Sequence, residues 1–386
     1  MTLSFWLWVL LAAALGWVFG RRYDRHKQAR RSAERAKRYF KGLSYVLNDQ
    51  PDKAIDMFVE LVNVDPETVD THFALGNLYR RRGETERAIR IHQNILSRLL
   101  LPPAHRSHAQ YELGLDYFAA GILDRAEEIF LDLQQDGVYR RSCQKELLAL
   151  YQQTREWDKA ANIADAMRNE GAEDAAPMLA HFYCELAEQA LAANRFELTR
   201  QRLQTALELD DKSVRASLVA ARVAIAEQDD AAFEASLQRM LQQDATLFVE
   251  VLALLEIWGK QHAERERQLL NEAIAAGAGA SVVLALAERI RASDGDRATG
   301  EYLITQLKLR PSLRELLKLV ELHVQHAQGS TRESLALLQD VLQRLVAKLP
   351  RYRCRRCGFQ GKQLHWRCPS CKTWNSVRPV TGIEGE

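Results

Sequence analysis

The feature that most restricts what this chain can fold into is a 34-residue periodicity in its first half. Segments beginning at Arg35, Val69, Ser107 and Arg141 align position by position. Gly42, Gly76 and Gly114 share the eighth position, where the fourth segment has Leu148. Tyr45, Tyr79, Tyr117 and Tyr151 share the eleventh, and Ala54, Ala88, Ala126 and Ala160 the twentieth. Phe58 and Phe130 share the twenty-fourth, with His92 and Ala164 in the other two segments. Four extra residues around Pro102-Pro103 lengthen the middle step, and Pro66 ends the first unit. Two crossing helices explain these types. Small residues allow close approach, and large apolar ones fill the holes beside the crossing. Asn48-Asp49-Gln50-Pro51, Arg82-Gly83, Ala120-Gly121 and Arg155-Glu156 supply the turns. One such hairpin leaves its apolar stripe uncovered, so neighbours must stack.

Over 35–168 this pattern resembles the tetratricopeptide repeat. The resemblance implies an all-α superhelix that presents a concave groove to extended peptides or helices of other proteins. Leu186, Ala187, Thr199, Leu203 and Ala206 fit a fifth unit, and Leu237 and Met240 a sixth. Beyond about residue 210 the pattern degenerates. Amphipathic stretches such as Leu284 to Ile290 and Leu335 to Leu345 nevertheless persist, with Pro311 as a further terminator. Repeats over 35–349 then number roughly nine, with essentially no strand before residue 350. The Gly, Ala and Tyr positions are packing. Partner-binding side chains are expected among polar positions of the groove-facing first helices, with His72, Asn77, Arg80, Arg81 and Gln110 as candidates. Cys143 and Cys184, isolated in helical patterns, read as buried small apolar residues.

Leu3 to Gly20 is an unbroken uncharged run. As a helix it reaches roughly 27 Å, close to the hydrocarbon core of a bilayer. Trp6, Trp8 and Trp17 suit the interfaces. A cleaved signal peptide needs positive charge before the apolar stretch, whereas here Arg21-Arg22 follow it. Residues 1–20 therefore predict a retained anchor whose N-terminus faces out, leaving the rest of the chain on the cytoplasmic side. Residues 21–34 form a basic stretch against anionic headgroups. Ala12, Gly16 and Gly20 recur at spacing four and offer a face for another membrane helix. Self-association into a homodimer is a further arrangement the sequence leaves open.

Charge is divided sharply along the chain. Residues 21–41 hold ten Lys/Arg against Asp24 and Glu34, giving +8, and residues 351–380 hold eight Lys/Arg and no acid, again +8. With −2 from Glu384 and Glu386 and +2 for the whole chain, residues 42–350 carry −12. An acidic body between basic ends is not the layout of a uniformly basic nucleic-acid binder.

After Pro350 the spacing Cys354-x2-Cys357, ten residues, Cys368-x2-Cys371 is the most specific motif in the chain. Each C-x2-C turns as a knuckle that aims two sulfurs at one metal, and two knuckles complete a tetrahedron. Gly358 suits the left-handed position such a knuckle needs. A reducing compartment disfavours disulfides, and no βαβ pattern surrounds a redox pair. Four thiolates close the coordination sphere, which makes the site structural rather than catalytic. All-sulfur geometry suits iron or zinc equally. His365 is adjacent to the motif but superfluous as a ligand. The module, residues 350–386, resembles rubredoxins and zinc ribbons. Still basic with metal bound, it is expected to dock on the acidic array or on an acidic partner. Tyr352, Phe359, Trp366 and Trp374 are candidate contacts, and Arg355 and Arg356 are further partner-binding candidates.

No Gly-rich phosphate loop, G-x-S-x-G, H-E-x-x-H or kinase signature occurs, and His323-x-x-His326 reads as a surface helix face. The chain is read as a non-enzyme. In order, the anchor, basic stretch, repeat array and four-cysteine module resemble the lipopolysaccharide assembly protein B family. The pairing of residues 3–20 with Cys354, Cys357, Cys368 and Cys371 is the specific part. The resemblance implies a bacterial inner-membrane adaptor that regulates lipopolysaccharide synthesis. The resemblance further implies an adaptor between the membrane protease FtsH and the deacetylase LpxC, in contact with other lipopolysaccharide assembly proteins. Two other readings are a membrane-held nucleic-acid-binding ribbon acting through Arg355 and Arg356, and a metal- or redox-responsive switch.

Overall fold

The computed structural model describes residues 17, 21–22, 36–48, 50–64, 69–99, 101–135, 137–172 and 175–385. The expected anchor, with Ala12, Gly16 and Gly20, lies outside the described residues. No helix among the described residues is long and apolar enough to cross a membrane. The chain divides after Arg155 into two compact units.

The first unit is helical throughout its described length. α1 covers 36–47, followed by α2 (Pro51–Val64), α3 (Val69–Arg81), α4 (Thr85–Leu96), α5 (Pro103–Ala119), α6 (Leu123–Leu133) and α7 (Arg140–Thr154). Pro103 opens α5, where a missing N–H costs nothing. Gly83 (φ 84°) and Gly121 (φ 77°) make the turns after α3 and α5 in the left-handed region open to glycine. The eighth-position glycines face the twenty-fourth residue of the same repeat. A Cβ on Gly42 would lie 2.9 Å from the Phe58 ring, one on Gly76 2.6 Å from His92, and one on Gly114 2.6 Å from Phe130. Ala54, Ala88 and Ala126 are fully buried at the same crossings.

His92 occupies the phenylalanine site of the second repeat and brings a buried polar network with it. Its Nδ1 lies 2.5 Å from Asp116 Oδ2, and both side chains have no exposure. Arg80 donates to the other Asp116 oxygen at 2.7 Å and to Glu112 Oε2 at 2.6 Å, tying α3 to α5. Phe73 packs edge-on against His108, their ring centroids 4.3 Å apart.

The second unit begins with α8 (Trp157–Asn169), α9 (Ala175–Ala192), α10 (Phe196–Leu209), α11 (Val214–Glu227) and α12 (Asp230–Asp244). A 3-10 turn (Ala245–Val251) leads into α13 (Leu252–Gly259) and α14 (Ala263–Ala275). α15 (Ala280–Leu309) follows, then α16 (Leu313–His326) and α17 (Gly329–Lys348). Gly295, at φ 83° and ψ 179°, breaks α15 into two helices, so the late segments remain hairpins although their sequence pattern has decayed. Phe233, Leu237, Met240, Phe248, Leu255, Leu269 and Leu286 belong to the main core. No strand occurs among the described residues before β1 (Tyr352–Cys354). β2 (Gln360–Gly361) and β3 (Val377–Pro379) flank it antiparallel, in the order β2-β1-β3.

Candidate metal centre

The two cysteine pairs sit in two matching turns. In the first, the Gly358 amide donates to the Cys354 carbonyl at 3.0 Å and the Cys354 amide to the Phe359 carbonyl at 2.8 Å. In the second, the Lys372 amide donates to the Cys368 carbonyl and the Cys368 amide to the Thr373 carbonyl, both at 2.9 Å. Each turn needs a left-handed residue just after its second cysteine. Gly358 fills that place at φ 76° and Lys372 at φ 58°, the latter against the usual preference of a side-chain-bearing residue. The Gly358 role was visible in the sequence, whereas Lys372 gives no such cue.

These turns bring all four Sγ atoms within 4.8 Å of one another, the sole His/Cys/Asp/Glu group of this kind among the described residues. Cys354 and Cys371 Sγ are 3.7 Å apart, as are Cys357 and Cys368 Sγ. A metal–sulfur bond of about 2.3 Å places tetrahedral sulfurs about 3.8 Å from one another, whereas a disulfide needs about 2.05 Å. All four cysteines are free, and their spacing fits a metal tetrahedron. The Ser376 hydroxyl, 3.3 Å away, is the main cause holding the Cys354 thiol down at about 6. Thr373 Oγ1, 3.4 Å from Cys371 Sγ, is the main influence lowering that thiol. Burial pushes Cys368 up to about 11. A bound cation supplies the charge that keeps all four as thiolates.

The module is docked on helices of its own unit. Trp374 stacks on His181 of α9 with centroids 5.0 Å apart and meets Phe182 and Trp157 edge-on at 5.8 and 6.1 Å. The Arg215 guanidinium of α11 lies 5.9 Å from the Trp366 ring and 6.0 Å from the Trp374 ring. Only 3% exposed, it donates to Glu185 Oε1 and Glu188 Oε2 of α9, both at 2.9 Å. Burial, and then Arg215 and Arg378, push His181 down to about 3, so a neutral ring faces Trp374. Tyr352 Oη donates to Glu250 within the 3-10 turn, and Arg378 lies 3.5 Å from Asp244 at its N-cap. The Leu313 amide at the start of α16 donates to the Ile383 carbonyl of the tail at 2.9 Å.

Several candidates are therefore committed inside the chain. Trp366 and Trp374 grip Arg215 and His181, so these rings are not free contacts for another protein. His72 is buried against Arg98, and Arg80 is held by Glu112 and Asp116, which removes both from the freely groove-facing set. Asn77 and Gln110 are half-buried, while Arg81 and Arg355 are exposed. Arg356, also exposed, donates to Thr373 Oγ1 at 2.7 Å. His326 bonds Asp296 at 2.7 Å on an exposed helix face, and His323 caps the Leu319 carbonyl at 3.0 Å. The docking residues that sequence reasoning missed are His181, Arg215, Asp244 and Glu250. Only Arg215 leaves a trace, as a lone cation in the apolar run Val214 to Val219.

The fold and site together define a tetratricopeptide-repeat protein with an integral four-cysteine metal module. Residues 352–379 match the rubredoxin metal binding domain, and 71–107 match the tetratricopeptide repeat. Lipopolysaccharide assembly protein B of Escherichia coli (strain K12) is 37% identical over 378 residues, 97% of each chain. The protein of that name from Haemophilus influenzae is 32% identical over 389 residues, again 97% of each. The chain belongs to the lipopolysaccharide assembly protein B family. Among solved structures it is similar to part of a tetratricopeptide-repeat protein from Cytophaga hutchinsonii, at 11% identity and TM-score 0.42, covering 64% of this chain and 99% of that one. It is also similar to PilF of Pseudomonas aeruginosa, at 16% identity and TM-score 0.33, covering 54% and 91%.

Proposed function

We propose that this protein is a non-enzymatic adaptor at the cytoplasmic face of the bacterial inner membrane, regulating lipopolysaccharide synthesis. In this reading residues 3–20 anchor the chain, and the repeats and metal module form a surface that gathers lipopolysaccharide assembly proteins. The adaptor brings the deacetylase LpxC to the membrane protease FtsH and so promotes LpxC degradation. Cys354, Cys357, Cys368 and Cys371 hold one structural ion, iron or zinc. The observation carrying the reading is the seating of the metal module on α8, α9 and α11 by Trp366, Trp374 and Arg215. A closed thiolate site that grips a repeat stack organises a surface for other proteins and leaves no open coordination position for substrate.

The test is membrane co-purification, with partners identified by mass, from cells expressing the full chain or a chain lacking residues 1–20. LpxC lifetime is followed in the same cells. The expected result is that the full chain recovers FtsH and LpxC and shortens LpxC lifetime, while the truncated chain folds but does neither. Full complementation by the truncated chain removes the tether from the mechanism. Unchanged LpxC lifetime in cells lacking the protein removes LpxC.

A further inference from the structure

A stacked array ends well only when its last helix turns a polar face to water, because the apolar side otherwise awaits another repeat. α17 does not end the array in this way. α17 packs against α16, and Leu342 is its buried residue. The flank of the helix adjoining Leu342 carries Leu338, Leu345, Val341 and Leu337, which are 43, 50, 46 and 67% exposed. Nothing among the described residues covers them. The chain leaves α17 at Leu349 and forms the metal module, whose contacts run to α8, α9, α11 and the 3-10 turn rather than back over α17. Among the described residues, α16 is the helix packed against α17.

The exposed residues form an ordered ridge. Leu337, Val341 and Leu345 recur every four positions, with Leu338 beside them, and such ridges interdigitate when two helices cross at about −50°. The ridge is also its own complement. Turned about a two-fold axis through Val341, Leu337 of one chain meets Leu345 of the other, and Val341 meets Val341. The same operation brings Glu333, near the start of α17, towards Lys348 at its end. Both of these side chains are exposed and, among the described residues, have no ion-pair partner. The crossing also opposes the two helix dipoles.

We propose that the exposed apolar flank of α17 is a homodimer contact, in which the same flank of a second copy of this chain covers it through an antiparallel α17–α17 crossing centred on Val341. Apolar self-complementarity sets the register, and the Glu333–Lys348 pairing sets the direction. A single helix pair is small beside the surface a permanent dimer buries, so association is weak and concentration-dependent.

Sedimentation of the full chain in detergent across a concentration series, together with cysteine cross-linking in isolated membranes, tests this. Val341→Cys should give a covalent dimer under mild oxidation, and Ala347→Cys, exposed but off the ridge, should give far less. Val341→Asp should weaken association at least about tenfold while leaving the thermal transition unchanged, as expected of an exposed side chain. A chain that stays monomeric at every concentration overturns the proposal. So does a dimer that survives Val341→Asp, or cross-linking as strong at Ala347→Cys. Val341→Cys cross-linking only to another protein, from a monomeric chain, assigns the face to a different occupant and equally defeats it.

Discussion

Replacing Trp374 by alanine should free the metal module from the helices without emptying it. The indole meets His181, Phe182 and Trp157 and lies over Arg215. Complete removal of a buried tryptophan costs about 3–5 kcal/mol. Trp374 is only half-buried, which brings the packing loss to about 2–3 kcal/mol, and losing the contact over a desolvated guanidinium adds about 1 kcal/mol. A docking equilibrium weakened by about 3 kcal/mol shifts more than a hundredfold. The thiolate tetrahedron should be kept, because its four ligands are Cys354, Cys357, Cys368 and Cys371 and the indole is not one of them. Hydrogen exchange reads this directly. The Leu313 amide, which bonds the Ile383 carbonyl, should exchange far faster, whereas the Gly358 and Lys372 amides inside the turns should keep their protection. Metal content should stay at one ion per chain. Loss of metal with unchanged Leu313 exchange refutes the reasoning, since Trp374 would then support the tetrahedron rather than the docking.

Cys354→Ser should lose bound metal on elemental analysis, while circular dichroism keeps its helical signal, because the module adds no helix to the array. Gly76→Ala should lower stability by about 1–3 kcal/mol through overpacking, as the new methyl meets an imidazole that Asp116 holds in place. Gly83→Ala, with nothing within 4 Å, should cost only the strain of its positive φ, about 1 kcal/mol, and denaturant titration separates the two. Glu315 is 3% exposed beside a cavity of about 280 Å³, and its burial pushes the carboxyl from 4.5 up to about 7. An acid raised on folding favours the native state most when protonated, so its contribution is lost as pH rises from 4.5 towards 7. Glu315→Gln should therefore raise stability at pH 8 by about 1 kcal/mol, after allowance for screening across the cavity, and flatten its pH dependence above 4.5. Equal melting curves at pH 8 would remove Glu315 from that dependence.

The repeat positions were legible because one crossing geometry recurs and admits few residue types. The sequence marks Gly42, Gly76 and Gly114 as small crossing positions, and the cysteine turns are legible likewise, since tetrahedral ligation tolerates few spacings; that these glycines face Phe58, His92 and Phe130 is a structural finding. What was not legible was the use of the remaining polar residues. Arg80 and His72 occupy positions where a groove-facing side chain is expected. Asp116 and Arg98, each far along the chain, draw them into pairs. Trp366 and Trp374 read from the sequence as contacts to the array or to another protein, but the residues they meet, Arg215 and His181, lie over 150 residues earlier with no spacing rule to join them. Gly295 hides a helical break inside an unpunctuated polar stretch, where a lone glycine is weak evidence of a hairpin.

Charge shows how the module faces two ways. Its +8 could have been neutralised wholly by the acidic array. Instead Arg378 meets a carboxylate there, at Asp244, while the array commits Glu185 and Glu188 to its own Arg215 beneath the tryptophans. The seat is thus aromatic and cation–π in character, with its ion pairs set behind it, which makes it less sensitive to salt than a charged interface. Arg353, Arg355, Arg356, Lys362 and Lys372 stay exposed and, among the described residues, form no ion pair. Arg351, Arg353 and Arg355 alternate with Tyr352 and Cys354, so the pleat of β1 sends its core residues inward and its cations outward. A four-thiolate site with one divalent ion carries −2 and offsets only part of that charge. The remainder is carried by exposed side chains and faces solvent, away from the metal ligands and the docking tryptophans.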